Sequence, residues 1–143
     1  MEAIAALGLA CNVMQLISFS RDVLTVVRHA YATGTVQADL GDRASRLSGL
    51  AMAVDDSLGS SAKPQTPAEK DLQEAARKSH AASLELHEEI NKLNGPPGQS
   101  RSVVRAVVTT VKTMRRKSRI DKLEETMLHW QKVMDSGLLL RIW

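Results

Sequence analysis

The first thirty residues form the most apolar part of the chain. Residues 3–20 contain no charged side chain, and apolar residues occupy nearly every face of the helix that AIAALGLACNVMQLISFS would form. A helix that is apolar all round is typical of the central, buried member of a bundle. The pattern continues at Val23, Leu24, Val27 and Tyr31. We predict a buried first helix that stops at Thr33-Gly34, with Ser20 available as a cap if the helix breaks there.

Two further segments carry the spacing of amphipathic helices. Between Val36 and Leu58, apolar residues recur at alternating intervals of four and three, at Leu40, Ala44, Leu47, Ala51, Val54 and Leu58. Before the next segment, Thr66 can cap a helix, Pro67 suits its first position, and Glu69 can reach back to the N–H of the cap. The apolar stripe that follows comprises Leu72, Ala76, Ala82, Leu86, Ile90 and Leu93, and the sequence NGPPG ends it.

The C-terminal part predicts one or two more helices. Residues 102–114 are rich in Val and Thr, which favour strands, but their valines follow a three-four spacing and no partner strand is present. Ser118 and Asp121 could cap a last helix that ends at residues 138–140. Its stripe comprises Ile120, Leu123, Met127, Trp130, Met134 and Leu138. The expected fold is an all-α bundle of four to five helices, one domain over residues 1–143, with the apolar N-terminal helix central.

Composition narrows the class of protein. A chain of 143 residues, 43% of them hydrophobic and with a net charge of +3, has the size of one domain and is unlike a disordered segment. A single cysteine, Cys11, excludes an intramolecular disulfide and favours a reducing, cytosolic location. We expect Cys11 to be buried as a small apolar residue. The opening Met1-Glu2 disfavours a signal peptide, and polar residues within 3–20 disfavour a permanent membrane span.

No constellation typical of catalysis is present in the sequence. The motifs GxxxxGK[ST], HExxH and GxSxG are all missing. His80 and His87 would share a helical face, but two imidazoles without a third ligand make a poor metal site. Glu88 and Glu89 are adjacent and diverge on a helix, so a solvated face is expected for them. We expect no enzymatic activity, and neither a catalytic residue, a metal nor a cofactor.

Positive charge is concentrated in the C-terminal third. Residues 99–143 carry ten Lys or Arg against four acidic residues, whereas residues 1–98 carry nine against twelve. The densest cluster comprises Lys112, Arg115, Arg116, Lys117, Arg119 and Lys122. Three interpretations compete. The cluster is a solvated helix junction, a nucleic-acid contact, or a docking site for anionic lipid, where each basic residue contributes about 1 kcal/mol. Proteins that bind single-stranded nucleic acid usually stack its bases on aromatic side chains. The chain has only four aromatic residues, which disfavours this interpretation.

The N-terminal run resembles the HeLo-like domains, including the SesA type, that open fungal NLR-like STAND proteins. The similarity concerns the Leu-Gly-Leu-Ala start at residues 7–10, the apolar stretch from Asn12 to Phe19, and the small-residue turn after Tyr31. The remainder matches in the order of its segments. Such domains are helical bundles. Family members act as cell-death effectors or signalling modules, and several permeabilise membranes through the N-terminal helix after oligomerisation.

The resemblance implies that the first helix is a buried strut at rest and enters lipid on activation. The residues expected to insert are Ile4, Leu7, Leu9, Val13, Leu16, Ile17 and Phe19, and the six basic residues of the cluster are expected to dock on anionic lipids. Expected partners are these lipids, further copies of the chain, and an NLR sensor or matching helical domain in cis or trans. No nucleic acid is expected. The expected location is the cytoplasm, with membrane association on activation.

An alternative function stays open. The chain can instead be a non-permeabilising interaction module, whose apolar helix never leaves the core and whose outer faces recruit a partner by helix packing.

Overall fold

The computed structural model describes residues 3–34, 38–94 and 103–142, without the side chains of residues 94, 103–116 and 139. Within these ranges lie five helices, namely α1 (Ala3–Thr33), α2 (Leu40–Gly59), α3 (Pro67–Asn94), α4 (Val103–Asp135) and α5 (Leu138–Ile142). No strand occurs in the described ranges. The all-α bundle predicted from the sequence is therefore confirmed.

Helices α1 and α3 form the centre of the bundle. Each of them contacts every other helix, whereas α2 and α4 do not touch in the described part of the chain. Small side chains line the buried side of α3, at Ala75, Ala76, Ser79, Ala82 and Ser83. Because α1 and α3 contact each other while α2 and α4 do not in the described ranges, α1 and α3 lie across the short diagonal of the bundle. The central position predicted for the N-terminal helix follows from this arrangement.

The predicted apolar stripes of α2, α3 and the second half of α4 face the core. All of their members are nearly inaccessible to solvent except Leu58, Leu93 and Trp130, which are partly buried against the core. Helix α3 begins at Pro67, as its capping sequence predicts, and the Thr66 hydroxyl accepts the Glu69 N–H at 3.2 Å. The Glu69 carboxylate reaches one residue further than expected, to the Gln65 N–H at 2.7 Å. Val36, the predicted start of the second helix, lies outside the described residues.

Two breaks considered from the sequence do not occur. Helix α1 continues through Ser20. Its buried residues before and after Ser20 lie on the same side of one helix, so packing against the bundle holds both halves together. Helix α4 continues through Ser118, because the surrounding sequence KTMRRKSR is made mostly of strong helix formers and contains neither Gly nor Pro. The bundle thus has four long helices.

Glycines in the left-handed conformation end α1 and separate α4 from α5. Gly34 has a φ of 72° and donates its N–H to the Ala30 carbonyl at 2.9 Å, which confirms the predicted stop. Gly137 has a φ of 82° and follows α4, which ends at Asp135. The prediction that the last helix continues to residues 138–140 is wrong, because the chain turns at Gly137 and starts the short α5 instead.

Ser20 occupies an unfavourable position in the core. Its side chain is fully buried, and its hydroxyl oxygen has no hydrogen-bond partner among the described residues, whereas the buried Ser79 hydroxyl donates to the Ala75 carbonyl at 2.6 Å. Replacing Ser20 by Ala is expected to raise the free energy of unfolding by about 1 kcal/mol, since an unpaired hydroxyl is removed and Ala favours the helix. Urea denaturation measures this. In the matched Ser79→Ala variant the gain should be absent, and a loss of stability in Ser20→Ala would contradict the assignment.

Candidate functional site: the open face of α1 and the basic segment of α4

One face of the N-terminal half of α1 is not covered by the described part of the bundle. Ile4 is 81% exposed, Leu7 38% and Met14 41%. Four more exposed residues lie on the same side of the helix, namely Gly8, Cys11, Gln15 and Ser18. We call these seven residues the open face. It carries no charge over about four turns of helix. Beyond Ser18 the same side of α1 becomes polar, with Asp22, Thr25 and His29 exposed.

The residues expected to insert into lipid are divided between the two sides of α1. Ile4 and Leu7 belong to the open face. Leu9, Val13, Leu16 and Ile17 are in the core, with at most 1% of each exposed. Phe19 is half-buried at the edge, where the Arg46 guanidinium lies 4.8 Å from the centre of its ring. Helix α1 is therefore a buried strut on one side and an uncharged surface on the other.

Of the seven residues of the open face, sequence reasoning assigned only Ile4 and Leu7 to the membrane contact. Cys11 was expected to be buried, but it is exposed, and Met14 was not singled out at all. When every face of a helix is apolar, the sequence has no alternation of apolar and polar residues that would show which side faces outward. Only the packing of α2, α3 and α4 around the opposite side decides it.

A buried carboxylate joins three helices at the C-terminal end of α1. The side chain of Glu89 on α3 is 1% exposed, which corrects the expectation of a solvated face. Its Oε2 accepts the Tyr31 hydroxyl of α1 at 2.9 Å, and its Oε1 lies 2.9 Å from Nη1 of Arg119 on α4 and 3.7 Å from Nζ of Lys92. Oε1 accepts no hydrogen bond of good geometry from any residue that the structure describes, so the Arg119 contact is an ion pair. Burial strengthens this attraction.

Only some of the predicted docking residues are seen to be available to lipid. Lys117 and Lys122 are exposed, and the side chains of Lys112, Arg115 and Arg116 lie outside the described residues. Arg119 is one-third exposed and is paired with Glu89, and with Glu88 at 3.2 Å. Its charge is therefore already neutralised within the bundle. Asp121 and Glu125 lie beside the two lysines on the same outer surface of α4, which makes the local charge mixed.

The open face and the exposed lysines lie at different levels of the bundle. Arg28 of α1 pairs with Asp121 at 2.9 Å and with Glu124, which places this turn of α4 beside the C-terminal half of α1. Cys11, at the centre of the open face, precedes Arg28 by 17 residues, about 25 Å along a helix. The described members of the two predicted membrane contacts therefore do not lie together in one patch.

Among the described residues, no three His, Cys, Asp or Glu side chains lie close enough to share a metal ion. Nδ1 of His87 lies 3.2 Å from Nδ2 of Asn91, one helical turn away. This contact stays within α3, and no third ligand from the described part of the chain joins His80 and His87.

In the described part of the chain, one helix is long and apolar enough to cross a bilayer. This is α1, and 39% of its apolar 18-residue window is buried inside the bundle. The core helix of a soluble protein passes the same test of length and composition. No protein-family model, no curated protein and no solved structure matches the chain.

Proposed function

We propose that this chain is a HeLo-like effector of cell-death or immune signalling that self-associates and acts at anionic membranes through α1. The observation that carries the proposal is the open face, an uncharged surface on the described helix that is long enough to span a bilayer. Moving side chains such as Ile4 from water into lipid is favourable, and residues 3–20 bring no charge with them.

The dimensions of the open face favour lipid over a second copy as its first occupant. It spans residues 4–18, about 22 Å along a helix about 10 Å wide, or roughly 220 Å². A stable protein pair buries about 800 Å² on each partner, so this face alone is too small for one. A bilayer imposes no such requirement. Self-association then follows membrane binding.

The proposal also states how the chain is attracted to the membrane and what activates it. Lys117 and Lys122, with the earlier basic residues of α4, attract the chain to anionic headgroups, and each contributes about 1 kcal/mol near the surface. In the cell, a trigger from an NLR-like sensor or a matching helical domain, in cis or in trans, gathers copies of the chain at the membrane, whereas with purified protein a high concentration on anionic vesicles takes the place of that trigger. Before the trigger arrives the protein resides in the cytoplasm.

Dye release from vesicles tests this function. The wild-type chain is expected to empty vesicles that contain phosphatidylglycerol and to leave neutral phosphatidylcholine vesicles sealed. Ile4→Glu should reduce release at least tenfold while the helical circular dichroism is unchanged, because Ile4 is 81% exposed and outside the core. Met52→Glu is the matched control, since Met52 is 62% exposed on α2 and its replacement should leave release intact.

If the wild-type chain leaves anionic vesicles sealed at every concentration tried, the membrane function is wrong.

The second candidate, a non-permeabilising interaction module, is favoured by the contacts of α1 with every other helix. If the chain is such a module, amide hydrogen exchange in residues 3–19 should be among the slowest in the protein and should not change when vesicles are added.

A further inference from the structure

Helix α1 is held to the bundle in two different ways along its length. Its N-terminal segment, residues 3–20, carries no charge. In the described part of the chain a single side-chain hydrogen bond ties this segment to another helix, from Nδ2 of Asn12 to the Ser57 hydroxyl at 2.7 Å. Apolar burial and the contact between Phe19 and Arg46 supply the remaining attachment. Lipid can replace apolar burial, because it solvates these side chains equally well.

The C-terminal segment of α1, residues 21–33, is held by polar contacts to α3 and α4. These contacts join Arg21 to Gln131, Arg28 to Asp121 and Glu124, and Tyr31 to Glu89. Through Glu89 the segment is also linked to Arg119. Lipid cannot replace these partners, since a charged side chain taken into hydrocarbon costs several kcal/mol.

The two segments meet between Ser20 and Arg21. Ser20 is buried, and its hydroxyl has no partner in the described ranges, so the bundle gains little from holding this position. Arg21 is the first charged residue after Glu2. The 18 residues of the N-terminal segment make a helix about 27 Å long, close to the roughly 30 Å of a hydrocarbon core.

From these observations we infer that α1 divides at Ser20/Arg21 when the protein acts on a membrane. The N-terminal segment leaves α2 and enters lipid, and the C-terminal segment stays locked to α3 and α4 as the anchor. This inference rests on the proposed membrane function and adds to it which part of α1 moves. The ionic contacts of α1 thus serve to retain the anchor.

Two cross-linked variants test the division, both made with Cys11→Ser so that no other thiol is present. One carries Asn12→Cys with Ser57→Cys and ties the N-terminal segment to α2. The other carries Arg28→Cys with Glu124→Cys and ties the C-terminal segment to α4, and in its unlinked form the contacts of Arg21 and Tyr31 still hold the anchor. Each pair is closed by the same short bismaleimide linker, and dye release from anionic vesicles is compared with that of the same variant left unlinked.

The expected result is that the link between residues 12 and 57 lowers release at least tenfold and that the link between residues 28 and 124 changes it less than twofold. Loss of release in both linked variants would overturn the division, because the C-terminal segment would then also have to move, although the membrane function would stand. Full release with residues 12 and 57 linked would overturn it as well. If the unlinked variants and the wild type release no dye, the membrane function itself fails, and the division fails with it.

Discussion

Replacing Leu16 by Glu is expected to unfold the bundle. Leu16 is 0% exposed, in the middle of α1 and among the largest fully buried side chains. A carboxylate placed there loses its hydration and has no basic neighbour on residues 3–20. The cost should exceed about 4 kcal/mol, which approaches the whole stability of a small domain. Urea denaturation followed by circular dichroism measures the loss directly.

Leu7→Glu is the matched control for this substitution. It makes the same chemical change about two and a half turns earlier on the same helix, but Leu7 is 38% exposed and belongs to the open face. The expected cost is below about 1 kcal/mol, because the new carboxylate stays in water. Equal destabilisation by the two substitutions would mean that α1 is enclosed on all sides, and the open face would not exist.

Replacing Arg119 by Ala should destabilise the protein by about 3 kcal/mol. The substitution leaves the Glu89 carboxylate, 1% exposed, without its nearest cation. Breaking a buried ion pair by removing one partner typically costs about 3 to 5 kcal/mol, and we take the lower end because Arg119 is 34% exposed. Lys117→Ala, which removes an exposed charge two residues earlier, should change stability by less than about 0.5 kcal/mol.

The double variant separates the ion pair from other effects of the substitution. With Glu89→Gln present, Arg119→Ala should cost about 1 kcal/mol or less, because no buried charge remains unpaired. If Arg119→Ala costs the same in both backgrounds, the pair with Glu89 contributes nothing. Arg119 would then be a free surface cation, as its place in the basic cluster suggested.

The helices and their core stripes were predictable because the information is local. The spacing of residues such as Leu47, Leu86 and Met127 determines which side of each helix is apolar, and burial follows. The stops at Gly34 and the cap at Thr66 depend on a few neighbouring residues, and both were confirmed. The break considered at Ser118 could not be decided from the sequence, because a cap sequence there competes with strong helix formers around it.

The candidate site was less predictable because it depends on which helices become neighbours. Glu89 and Arg119 are 30 residues apart, and nothing local marks Glu89, rather than Glu88, as the buried member of the acidic pair. The open face could not be identified from the sequence for a related reason. Residues 3–20 are apolar on all sides, so only the packed bundle reveals that Leu9 points inward and Ile4 outward.

A fluorophore on Cys11 provides the most direct test of the central claim, which is that the open face of α1 enters lipid. Cys11 is the only cysteine, is exposed, and lies at the centre of that face, so the wild-type chain can be labelled with an environment-sensitive dye at one position. With phosphatidylglycerol vesicles the emission should shift to the blue and be quenched by spin labels on the acyl chains. Emission that stays aqueous and unquenched at saturating lipid would contradict the account.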